Sequence, residues 1–196
     1  YTELVEPFGI DEAWIDVSDL EIIYGNAEKL AYEIKERVKK ELSLTLSIGV
    51  SFNKVFAKIG SDYKKPDAVT VIDRENYKDI LYSMPVDSMI FVGNKTRDAL
   101  KRINIKTIGE LAEISRQELI SLFGKAGNNL YDIVSGVSDD DVKSYYEKED
   151  VKSIGNGQTF TRDICTESEI KRAILMLSDK ISKRLRKAGK LCSCVK

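Results

Sequence analysis

The sequence predicts an α+β fold, and three observations carry the prediction. Short runs near 5–17, 44–50 and 68–72 are strand-like, and Ile15 to Ser18 and Leu44 to Val50 alternate apolar and polar residues, the period of half-buried strands. Longer segments repeat apolar residues at three- and four-residue spacing, which lines one face of a helix. The two kinds interleave as strand–strand–helix–strand–helix–strand, and a stretch of short helical patterns follows. That order predicts a sheet with helices on one face, then a small all-helical region.

Val5 to Val17 reads as two short strands with a tight connection near Gly9–Glu12. Asn26 is a candidate N-cap for a helix whose apolar face is Ala27, Leu30, Ala31, Ile34, Val38 and Leu42. Leu44 to Val50 alternates again and predicts a strand. Ser51 is the candidate cap of the next helix, striped by Phe52, Val55, Phe56, Ile59 and Tyr63 and stopped by Pro66. Lys54 and Lys58, four apart, share another face of it. Ala68 to Ile72 predicts a further strand.

After Pro85 the character changes. Ile90 to Ile103 and Thr107 to Val134 predict short helices separated by Gly93, Gly109, Gly124 and Gly127. Asp139 to Asp150 is charged and aperiodic, as a linker is. Ser153 to Ile164 returns to a strand-like pattern, and Ser168 to Lys187 is an amphipathic helix with Ile170, Ile174, Leu177, Ile181 and Leu185 inward. Lys190 to Lys196 is expected to begin another strand.

Composition narrows the chemistry. Of 196 residues, 42% are hydrophobic and 32% charged, as in a globular protein, and no apolar run is long enough to cross a bilayer. The 31 basic and 32 acidic residues nearly cancel, so the total charge points to no partner. Their distribution is uneven, acidic from Glu3 to Glu21 and basic from Lys171 to Lys196. It suits metal-dependent chemistry on a polyanion, and equally a set of solvated faces. The 3 Cys, with Cys192 and Cys194 too close for a zinc pair, fit a reducing cytoplasm. With no His, Ser-His-Asp and Cys-His nucleophile systems cannot be built within this chain. Carboxylates, lysines and metal remain.

Three motifs carry such chemistry. Asp11-Glu12 places adjacent carboxylates in an apolar run; at a tight bend both reach one side, where they can hold Mg²⁺ or form a solvated acidic turn. Ser47 to Lys54 leads a strand into a lysine-bearing helix that ends at Lys64-Lys65-Pro66-Asp67; Lys65 can neutralise a triphosphate, or the lysines form an exposed face. The glycine turns at Gly93-Asn94-Lys95 and Gly124-Lys125-Ala126-Gly127 present backbone N–H groups at helix starts, which suits phosphate contact as well as plain connection.

Together these segments resemble the Y-family DNA polymerases, the DinB/UmuC group that copies past damaged bases. "EPFGIDEAWIDV" is similar to the family's acidic palm hairpin, "SIGVSFNKVFAKIGSDYKKPDAVTVI" to its strand–helix block, and "SIGNGQTFTRDI" to the opening of its little finger. The resemblance implies the later part of a palm over 1–78 and a helix-hairpin-helix thumb over 79–140. It implies a linker over 141–152 and the start of an α/β little finger over 153–196. It further implies Asp11 and Glu12 as catalytic carboxylates and metal ligands, with two Mg²⁺ in the complete enzyme, and Lys65 as the contact to the incoming nucleotide. DNA contacts are implied at Gly93, Lys95, Gly124, Lys125, Gly127, Ser153 and Gly155.

The activity implied is template-directed DNA synthesis in DNA damage tolerance, by two-metal transfer of a nucleotide from a dNTP to a primer 3′-OH. Its partners are primer–template DNA, the dNTP and, through a tail beyond Lys196, a sliding clamp; no membrane is involved. Several features depart from the family pattern. Gly9 stands where Ser is usual, Ala68 where Gly is common, and Gly93 where two glycines are usual. The family's opening Asp-bearing strand, its fingers and most of its little finger are not in this sequence. The chain is therefore expected to be part of a longer protein and inactive alone. Rival readings are a non-catalytic DNA-binding remnant and a metal-dependent nuclease using Asp11, Glu12 and Asp16.

Overall fold

The computed structural model describes residues 1–137, 141–147 and 151–195. It divides into two compact units, Tyr1–Glu147 and Lys148–Lys196.

The first unit opens with an antiparallel hairpin, β1 (Val5–Phe8) and β2 (Glu12–Ile15), in which Phe8 lies opposite Glu12. Gly9 begins the turn at φ +73°, a left-handed conformation open to glycine because it has no Cβ. Trp14 ties the hairpin to the following layer by donating its indole N–H to the Lys54 carbonyl at 2.9 Å. A short α1 (Glu21–Tyr24) precedes α2 (Ala27–Leu42), and the Asn26 side chain caps α2 by accepting the Lys29 N–H, as its sequence position predicts. Leu30 and Ala31 of α2 are buried.

β3 (Ile48–Ser51), α3 (Lys54–Tyr63) and β4 (Val69–Ile72) form a strand–helix–strand unit with the strands parallel and Ile48 opposite Val69. Gly49 is required here. A Cβ at this position would lie 1.9 Å from the Ala57 carbonyl oxygen, so strand and helix meet backbone to backbone. The strand is shorter than the predicted Leu44–Val50, because pairing with β4 begins only at Ile48. The cap of α3 is Asn53, which accepts the Phe56 N–H at 2.8 Å; Ser51 instead donates its hydroxyl to the Ile72 carbonyl and staples β3 to β4. The predicted single sheet is two separate pairs among the described residues, β1–β2 and β3–β4.

α4 (Tyr77–Leu81), α5 (Asn94–Arg102), α6 (Ile108–Ala112), α7 (Arg116–Phe123) and α8 (Lys125–Val134) follow. Thr107 with Glu110 and Ser115 with Glu118 form reciprocal capping boxes that fix the starts of α6 and α7. Gly109 and Gly127 lie inside α6 and α8 rather than between helices. Gly127 has a packing reason: its Cβ would sit 1.8 Å from the Leu119 carbonyl oxygen. A continuous core runs from Val55 and Phe56 of α3 through Ile72, Leu81 and Leu100 to Ile133 and Val134 of α8. Residues 141–147 have no helix or strand, and the rest of the predicted linker lies in part outside the described residues. Hydrogen bonds tie this segment to the hairpin region: the Tyr145 N–H donates to the Glu3 carbonyl at 3.1 Å, and the Lys143 N–H to the Glu6 carboxylate at 2.8 Å.

In the second unit α9 (Glu167–Lys187) is capped by a Thr166–Glu169 box, and Glu169 also pairs with Arg162. The strand predicted over Ser153 to Ile164 is not formed, and residues 190–195 are irregular too. An extended segment becomes a strand only with a partner, and the described residues of this unit supply none. No α9 residue is buried; Ile174 and Leu175 are exposed. Among the described residues, no helix is long and apolar enough to cross a membrane.

Candidate nucleotide and metal site

The hairpin turn and the end of α3 face one open cleft of about 1410 Å³. Asp11 lies in the turn and is exposed; Glu12 begins β2 and is half-buried. Both line the cleft, and so do Lys58 and Lys65. The structure thus brings the acidic pair and Lys65 together although 53 or more residues separate them in sequence. Asp16 does not line it, and its carboxylate accepts the Ser18 N–H at 2.9 Å.

Lys58 is the residue whose role sequence reasoning left open. Its Nζ lies 2.8 Å from Glu12 Oε1 and 2.8 Å from Asp62 Oδ2. Asp62 Oδ1 lies 2.6 Å from Lys65 Nζ. Burial alone lowers the Lys58 pKa, but the hydrogen bonds to Asp62 and Glu12 outweigh it and leave the pKa above the ordinary lysine value. For Asp62, burial pushes upward, and the bonds from Lys58 and Lys65 hold its pKa below the usual carboxylate value. One turn earlier Lys54 pairs with Glu6 at 2.7 Å. The lysine face of α3 therefore meets the acidic hairpin. The visible signal was the 54/58 spacing, which puts two lysines on one stripe. Asp62 escaped notice because nothing in the sequence showed which lysines it would meet.

The loop bearing Lys65 is anchored to α2. Asp67, at φ +55°, sits 2.7 Å from Lys39 Nζ and 2.9 Å from Lys35 Nζ, and the Lys65–Pro66 bond is cis. Lys39 and Lys35 hold the Asp67 carboxyl below its usual range. Two carboxylate side chains offer hard oxygen donors of the kind a small divalent cation prefers. Among the described residues, however, no group of three or more His, Cys, Asp or Glu is placed to hold a metal, so the chain supplies the chemistry of such a site without a full ligand set.

Gly93 caps the start of α5, with Lys95 beside it, and both are exposed. Gly124, at φ +59°, closes α7 and opens α8, and it and Lys125 are exposed, whereas Gly127 is buried against α7. In the second unit Ser153 and Gly155 are exposed, and the Gly155 carbonyl accepts from Arg184.

Known proteins give this arrangement its context. The impB/mucB/samB family profile matches residues 1–62, and the profile of the same family's C-terminal domain matches 151–196. DNA polymerase IV of Acetivibrio thermocellus is 42% identical over 186 residues, covering 95% of this chain and 47% of that protein. A Y-family DNA polymerase chimera of Dbh and Dpo4 superposes with a TM-score of 0.71 at 27% identity, over 90% of this chain and 52% of that one. An insertion ternary complex of Dbh DNA polymerase gives 0.62 at 27% identity, over 70% and 41%. The chain spans about half the length of the curated relatives it matches. Two profiles of one family at its two ends, and polymerase folds across its length, place it: the chain belongs to the impB/mucB/samB family, the DinB-like Y-family polymerases.

Proposed function

We propose that the complete protein is a translesion DNA polymerase and that this chain supplies its acidic hairpin, its nucleotide-facing lysine and part of its DNA grip. The observation that carries this reading is the shared cleft, lined by Asp11 and Glu12 from the hairpin and by Lys65 from the loop after α3. Asp11 and Glu12 would hold divalent cations, with Mg²⁺ the expected ion. Such ions, when bound, lower the cost of forming the attacking 3′-oxygen and of releasing pyrophosphate. Lys65 offsets charge on the triphosphate, and the loop contacts to Asp67 keep it facing the cleft. Reactants held in place are most of what phosphoryl transfer needs from a protein, so the absence of His from this chain is no obstacle.

The same reading assigns 1–78 to a palm, 79–140 to a helix-hairpin-helix thumb, 141–152 to a linker and 153–196 to the start of a little finger. Gly93, Lys95, Gly124 and Lys125 would meet DNA phosphates directly. Gly127 would act by letting α7 and α8 close on one another, and Ser153 and Gly155 would contribute from the second unit. The cleft is also lined by Ile48 and Val50 of β3, Ala13 of β2, and Ile34 and Val38 of α2. We assign this wall to the Asp-bearing strand with which family members begin, which would complete the ligand set. Primer–template DNA and dNTPs are the proposed partners, in the cytoplasm, with a sliding clamp as a further one.

The test uses the complete protein. Asp11→Ala is expected to abolish Mg²⁺-dependent primer extension while primer–template affinity stays within about twofold, and that affinity falls steeply with salt in both proteins because phosphate contacts dominate it. Extension near the wild-type rate by the variant overturns the assignment. A full reading frame with no upstream Asp-bearing strand favours the non-catalytic DNA-binding remnant instead.

A further inference from the structure

A row of alternating charges runs beside the cleft, and three of its members, Glu12, Lys58 and Lys65, line it. Glu12 pairs with Lys58, Lys58 with Asp62 and Asp62 with Lys65, at 2.8, 2.8 and 2.6 Å. Its two ends, Glu12 and Lys65, are the groups that the proposed reaction needs free, one for a cation and the other for a polyphosphate. Its two inner members, Lys58 and Asp62, stand four residues apart on α3 and neutralise each other.

We propose that Asp62 is a positioning residue that exchanges counter-ions, taking Lys58 from Glu12 when a divalent cation enters and giving up Lys65 when a polyphosphate enters. This rests on the nucleotidyl-transfer reading of the cleft. The physical reason lies in the burial of Lys58, whose side chain is only 15% exposed. An ammonium that loses its one partner in such a setting is left uncompensated, which is costly. With Asp62 at hand, Lys58 keeps a carboxylate after Glu12 turns to a cation. Asp62 likewise keeps an ammonium after Lys65 turns to phosphate. Freeing either end strengthens the inner pair, so the ends are released together, and cation and polyphosphate binding help one another.

Asp62→Asn breaks the exchange in two opposite directions. Lys58 is left to Glu12, so cation affinity falls; Lys65 is released, so polyphosphate affinity without metal rises. Losing a negative charge near the cleft also pushes both ways by simple electrostatics, so the test must separate the two causes. In the complete protein, Mn²⁺ is titrated by electron paramagnetic resonance and inorganic tripolyphosphate by calorimetry. The variants are Asp62→Asn, Lys58→Met, their combination and Asp62→Glu, with Glu75→Gln as a charge control on the cleft wall.

Asp62→Asn is expected to weaken Mn²⁺ binding roughly fivefold or more, in the range of coupled neighbours. The same change on the Lys58→Met background has less than about twofold effect, because no lysine then competes for Glu12. Asp62→Glu restores much of the loss, and Glu75→Gln causes little. Equal losses in both backgrounds, a similar loss from Glu75→Gln, or no Mn²⁺ binding by the unaltered protein overturn the proposal. Should Asp62→Asn fail to fold, Asp62→Ser is read on the same two backgrounds. Failure of the polymerase reading is seen separately, as Mn²⁺ binding of the expected pattern in a complete protein that extends no primer.

Discussion

Asp67 shows how much one side chain organises. It stands at φ +55° after the Lys65–Pro66 bond and takes a lysine on each carboxylate oxygen, both from α2. Lys39 and Lys35 lower its pKa from the ordinary 3.8. A carboxylate whose folded pKa lies below its unfolded one stabilises the fold fully above the unfolded value, and the contribution is lost as pH falls through the folded value. Urea unfolding of the wild type and of Asp67→Asn should therefore differ by a constant amount from neutral pH down to about 5. The gap should shrink below about pH 4 as the wild-type carboxylate takes up its proton. A gap that widens on acidification contradicts the pairing. As candidates, Asp11, Glu12 and Lys65 are legible from residue type and spacing, and they line one cleft. Lys58 was visible only as a face, and Asp62 was not, because an ion pair across 46 residues, such as Lys58 with Glu12, has no local signature.

Among the elements, the capped helices were the most readable and the strands the least. Asn26, a small polar residue ahead of a periodic apolar run, announced α2. The predicted cap of α3, Ser51, instead ends β3 and bonds to β4, so the cap passes to Asn53. Asn53→Ala is expected to destabilise the first unit by about 1 kcal/mol through the lost cap. The single Trp of the chain, Trp14, bonds to the Lys54 carbonyl at the start of α3 and gives the fluorescence signal for a urea titration. Ser51→Ala should instead loosen β3 against β4 and leave the start of α3 intact, which amide exchange of Phe56 distinguishes. The predicted strand over Ser153 to Ile164 illustrates the reverse case. Its residues are strand-like in pattern, but a strand is defined by its neighbour, and in the described residues of the second unit there is none.

Across the whole molecule, the buried apolar side chains among the described residues all lie between Leu30 and Val134, inside the first unit. Cooperative unfolding follows from a shared core, and this core is continuous from α3 to α8. A chain of residues 1–147 should therefore keep a single calorimetric transition, with a midpoint within a few degrees of that of the 196-residue chain. Loss of that transition on truncation would mean that the second unit supplies stability which its exposed helix does not suggest.

By itself the sequence determined the α+β class, the hairpin with its acid pair, the lysine-bearing helix and loop, and the family, because these depend on residue type, period and short spacing. Tertiary structure alone decided that the strands among the described residues form two pairs instead of one sheet, that Asn53 rather than Ser51 caps α3, and that Lys58 and Asp62 link the acid pair to Lys65. The physical reason is the same in each case. Backbone pairing and ion pairing are satisfied by whichever partner lies within about 3 Å in space, and chain order does not fix that distance.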